Sequence, residues 1–112
     1  RRQIAFTQAN LADTLSQSGK TAQALNLYRE IFEEFKNLVA ADPDNTEWRH
    51  DLAVTYLKIG ESLSSEGARR DEAETHFESA LALYETLRAA SPESVKIRSE
   101  FETVKKRLAE PD

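Results

Sequence analysis

The chain carries the same pattern of residues twice. Slid along itself by 48 positions, residues 1–19 fall on 49–67, with identities at Arg1/Arg49, Ala5/Ala53, Thr7/Thr55, Leu15/Leu63, Ser16/Ser64 and Gly19/Gly67. After the glycine the register slips to 49, because residues 67–73 hold one residue more than 19–24. A surface turn is where an insertion is tolerated best. From there Ala24/Ala73, Leu38/Leu87, Ala40/Ala89, Ala41/Ala90 and Pro43/Pro92 match, and Tyr28/Phe77 and Phe35/Tyr84 exchange aromatics. A third, partial copy sets Trp48-Arg49 over Ile97-Arg98, Leu52 over Phe101, Ile59 over Leu108 and Gly60 over Ala109, and Pro111 stops it. A fixed period of this length signals stacked units, none of which can bury its apolar face alone.

Within each unit the apolar spacing is helical. Ile4, Gln8, Leu11 and Leu15 step by three and four, as do Ala24, Tyr28, Ile31, Phe35 and Leu38. Trp48, Leu52, Tyr56, Ile59 and Leu63 come next, then Ala73, Phe77, Ala80, Tyr84 and Leu87, then Ile97, Phe101, Val104 and Leu108. Such steps gather apolar groups on one helix face, and no segment alternates with period two. Gly19 and Gly67 stand where a helix ends in left-handed geometry. Asp42-Pro43-Asp44-Asn45 and Ser91-Pro92-Glu93-Ser94 break the chain and offer N-caps to the next helix. The spacing predicts helices over 1–18, 21–41, 46–66, 70–90 and 94–109. Short connections make consecutive helices antiparallel neighbours. The expected fold is all-α, an antiparallel helix-hairpin repeat array with repeat one at 1–44, repeat two at 45–92 and a capping helix at 94–109.

Composition narrows the functional classes. The 112 residues contain no cysteine, which removes zinc fingers, thiol enzymes and disulfide mini-proteins. No window approaches the roughly 18 apolar residues of a membrane span. A net charge of −5 argues against affinity for nucleic acid or anionic membrane. There is no methionine and no presequence, so the chain is expected to be part of a longer one, with a cytoplasmic location as the default.

The second unit resembles the tetratricopeptide repeat family. Tyr56, Ile59-Gly60, Leu63, Gly67, Ala73, Phe77, Ala80 and Pro92 fall on that family's aromatic, Leu-Gly, turn, Ala-aromatic-Ala and proline positions. The first unit matches more loosely with Gln8, Leu11-Ala12, Leu15, Gly19, Ala24, Tyr28, Ile31 and Pro43. Small residues let paired helices approach, Gly60 against Ala80 in one unit and Ala12 against Ala24 in the other. The units are longer than the family's repeat of about 34 residues. With their Trp48-Arg49-His50-Asp51-Leu52 start they are similar to bacterial arrays that sit in large proteins beside signalling, protease-like or ATPase modules. The resemblance implies a non-catalytic scaffold that binds a peptide or partner protein without cofactor or metal. It places the binding groove on Phe6, Ala9, Asp13 and Ser16 of the first helix, Val54, Leu57, Glu61 and Ser64 of the third, and Thr103 and Lys106 of the fifth. Ala9 and Asp13 occupy places where the family's best-known groove grips a carboxylate with Lys and Asn, so an acidic chain end is disfavoured. Apolar Phe6, Val54 and Leu57 beside acidic Asp13 and Glu61 suit a partner with apolar anchors and basic neighbours. A structural spacer or self-association element, or a regulatory array attached to a signalling enzyme, is the alternative role.

The residues offer little chemistry of their own. His50 and His76 are read as surface histidines. Glu33-Glu34 and Asp71-Glu72 point about 100° apart on a helix and read as solvated faces. Ser62, Ser64 and Ser65 lack a nucleophile motif, and the glycines form no phosphate loop. Tyr28, Phe35, Phe77 and Tyr84 read as core. Arg98, Ser99, Glu100, Glu102, Lys105 and Lys106 read as the solvated side of a cap.

Overall fold

The computed structural model describes residues 2–65 and 70–109, with their side chains from 7 to 64 and from 70 to 109. Five helices succeed one another among the described residues: α1 (Arg2–Gln17), α2 (Thr21–Ala41), α3 (Thr46–Ser65), α4 (Arg70–Ala90) and α5 (Val95–Ala109). No strand occurs among the described residues.

The breaks fold as their residues dictate. Gly19 is left-handed at φ +81. Its N–H donates to Ser16 O at 3.1 Å and that of Lys20 to Leu15 O at 2.8 Å, a Schellman closure of α1. Gly67, expected to do the same for α3, lies outside the described residues. The two proline breaks are copies of one turn. Asn45 N donates to Asp42 O and Ser94 N to Ser91 O, each at 3.0 Å, with proline at the second position of each turn. Both predicted caps then engage: Asn45 Oδ1 accepts from Trp48 N at 3.1 Å, and Ser94 Oγ from Ile97 N at 3.2 Å.

Across a hairpin, residue numbers rise on one helix as they fall on the other. Arg49 of α3 meets Thr86 of α4, and Tyr56 meets His76. Consecutive helices are therefore antiparallel. Across alternate helices the numbers rise together, so α3 and α5 run parallel: His50 meets Glu100 and Glu61 meets Arg107. Asp13 of α1 reaches Lys58 of α3, and Arg29 of α2 reaches Glu72 of α4. Helices α1, α3 and α5 share one face of the array, and α2 and α4 the other.

The core repeats with the sequence. Ala24 and Ala73, Tyr28 and Phe77, and Phe35 and Tyr84 are buried in pairs. The close approach at Gly60 is against the Phe77 ring rather than Ala80: a Cβ there would meet ring carbons at 2.7, 2.8 and 3.1 Å. Tyr56 spans two neighbours, packing edge-on to Phe32 of α2 at 5.0 Å between centroids and tilted against His76 of α4 at 6.0 Å. Leu11 departs from the expected apolar stripe, since it is 54% exposed.

Candidate partner-binding face

The face shared by α1, α3 and α5 carries two clefts. On α3, Asp51, Val54, Lys58 and Glu61 step by three and four, so they line up along one side of the helix. The smaller cleft, of about 160 Å³, lies between α1 and α3 and gathers Asp13 and Ser16 with Lys58, Glu61 and the Tyr28 hydroxyl. The larger, of about 280 Å³, has an apolar floor of Ala9, Phe35 and Val54 and a polar rim that includes His50, Lys96 and Glu100.

Five of the predicted groove residues therefore come together: Asp13, Ser16 and Glu61 in one cleft, Ala9 and Val54 in the other. Ser64, Thr103 and Lys106 line neither. The Phe6 side chain lies outside the described residues. Leu57 corrects the prediction, because at 7% exposure it is part of the core.

The acids of the face are paired within the chain. Tyr28 donates its hydroxyl to Asp13 Oδ1, and Lys58 Nζ lies 3.6 Å from that oxygen. Burial, the hydrogen bond to Asp13 and its negative charge push the Tyr28 phenol well above its ordinary range. Glu61 Oε2 accepts from Arg107 Nε at 3.1 Å and Nη2 at 3.0 Å. A charged neighbour thus stands on each carboxylate.

The rim of the larger cleft overturns the surface reading of His50. Its Nε2 lies 2.5 Å from Glu100 Oε1, and Tyr84 donates its hydroxyl to the same oxygen at 3.2 Å. Glu100, expected to be solvated, turns inward instead. Burial pushes its carboxyl up, but hydrogen bonds from His50 and Tyr84 and the charges of His50 and Lys96 outweigh that and hold it below its ordinary value. Burial first, then Glu100, pushes the Tyr84 phenol far up.

The sequence reading passed over Lys58 and Arg107 and misread His50 and Glu100. For the first two a signal existed. Lys58 and Arg107 are bases one period apart, as Asp13 and Glu61 are acids one period apart. His50 and Glu100 offered a similar one, since they stand one period after the base Arg2 and the acid Asp51.

No family model, curated protein or solved structure matches the chain. Among the described residues no three of His, Cys, Asp and Glu gather where they could hold a metal, and no helix is long and apolar enough to cross a membrane. The face offers a cleft with an apolar floor and oriented charge.

Proposed function

We propose that this chain is a non-catalytic protein-interaction module, of the kind its tetratricopeptide-like repeats imply, and that it holds a segment of a partner on the face of α1, α3 and α5. The larger cleft carries this reading. Ala9, Val54 and Phe35 give it an apolar floor, and His50, Lys96 and Glu100 ring it with donors and acceptors. That combination suits one apolar anchor side chain flanked by polar backbone. Because Asp13 and Glu61 already hold Tyr28, Lys58 and Arg107, they are weak magnets for a basic partner, and the anchor is apolar rather than charged.

A displayed peptide library tests this. The expected result is a set of binders sharing an apolar residue, whose affinity falls about tenfold or more with Val54→Arg, the equivalent of about 1.4 kcal/mol. Helix content should be unchanged, since Val54 is only half-buried. Binders insensitive to Val54→Arg would remove the cleft from the reading.

A further inference from the structure

The net charge of −5 is unevenly placed on the array. Helices α2 and α4 carry eight acids and four bases between them. Helix α5 reverses the balance, with Lys96, Arg98, Lys105, Lys106 and Arg107 against Glu100 and Glu102. The face shared by α1, α3 and α5 is therefore positive at its α5 edge, while the opposite face is negative.

The acids of the groove face are already answered. Asp13 holds Lys58 and Tyr28, Glu61 holds Arg107, Glu100 holds His50 and Tyr84, and Asp51 too has a partner. Lys96 differs from the bases that answer them. It stands exposed on the rim of the larger cleft, and no carboxylate among the described residues lies within ion-pair distance of it. Its charge reaches Glu100 only through space. An ammonium left over beside an apolar floor complements a carboxylate, and such complementarity selects a partner more than it tightens binding.

We propose that the partner segment held in the larger cleft carries an aspartate or glutamate next to its apolar anchor, on the side of α5, where Lys96 receives it. This rests on the groove reading above and specifies its ligand. One ammonium on an exposed rim suits a side-chain carboxylate reaching out from the segment rather than a chain end drawn into the groove. Further units of the repeat would stack beyond α1 or α5 and leave a cleft framed by α1, α3 and α5 open, so the fold leaves this cleft to another polypeptide.

The test is a displayed peptide library with one leucine held fixed and its neighbours randomised, selected on the whole chain and on its Lys96→Glu variant. The expected result is enrichment of Asp and Glu beside the leucine on the native chain, and of Lys and Arg at the same position on Lys96→Glu. That exchange is one a merely structural role for Lys96 would not produce. Synthetic peptides of the recovered sequences should lose about two- to fivefold in affinity when the acid becomes Asn or Gln, and less as salt rises. Amidating their C-termini should change nothing. Binders that respond to Val54→Arg but show no acidic preference, or keep it on Lys96→Glu, would overturn this inference and leave the groove reading standing. Absence of binders, or binders insensitive to Val54→Arg, would remove both. A requirement for a free peptide C-terminus would also overturn it. So would self-association of the chain alone that Lys96→Glu abolishes, because the acidic face of a second copy would then be the occupant.

Discussion

Glu61 on α3 and Arg107 on α5 repeat, one period along the array, the pairing of Asp13 on α1 with Lys58 on α3. The acid lies in each case on the earlier helix and the base on the later one. A helix of this class therefore hands its carboxylate forward to the next. With the His50–Glu100 contact of α3 and α5, the pairing ties alternate helices directly, beside their packing through α2 and α4. In the second unit the paired aromatic is Phe77 rather than Tyr28, so no phenol is available there, and the guanidinium supplies two donors to Glu61.

Removing this rung should loosen α5. Both side chains keep about a third of their surface in water, 38% for Arg107 and 31% for Glu61, so the coupling is screened. Arg107→Ala and Glu61→Gln, with the double variant, are expected to show a coupling of about 0.5–1 kcal/mol in denaturant titrations, shrinking as salt rises. A coupling of zero at low salt would reduce the rung to a geometric coincidence.

Gly60 carries a sharper prediction. A methyl group there must displace the Phe77 ring, which is fully buried and has no room to swing. Gly60→Ala gains about 1 kcal/mol in helix propensity, but overpacking of about 1–3 kcal/mol opposes it. The net expectation is destabilisation by about 1 kcal/mol, read from chemical unfolding. Phe77→Leu in the Gly60→Ala background should restore part of the loss, because the shorter side chain vacates the ring edge. Stabilisation by Gly60→Ala alone would show the contact to be looser than its geometry.

The repeat explains why so much of the fold was legible. Two copies of each turn and each aromatic position fix helix limits, so α2 and α4 begin and end where the periodicity puts them. Burial of Tyr28, Phe35, Phe77 and Tyr84 stems from the same steps. The features that resisted reading were set between helices rather than along them. Leu57 belongs to the groove row by analogy, yet it is drawn into the core. Leu11 shares its register with Ile59, yet it is exposed where Ile59 is buried. His50 and Glu100 stand 50 positions apart, and the parallel run of α3 and α5 joins them.

The His50–Glu100 pair makes stability depend on acid. The Glu100 carboxyl titrates below the 4.5 of the free group, because His50, Tyr84 and Lys96 favour its charged form more than burial opposes it. A group whose folded value is depressed contributes its full stability above the unfolded value and loses it as pH falls through the folded one. The array should therefore hold its melting midpoint down to about pH 4.5 on account of Glu100, then lose stability below it. Glu100→Gln keeps the shape but not the charge. It is expected to destabilise the chain by about 1–3 kcal/mol at neutral pH, the worth of hydrogen bonds to a charged acceptor. It should also flatten the acid limb of the curve. His50→Gln should act in the same direction by releasing the carboxyl towards its ordinary value, so that the acid limb is shallower and ends at higher pH. Thermal melts of the three proteins across the acid range measure all of this at once. An acid limb unchanged by Glu100→Gln would assign it to other carboxylates.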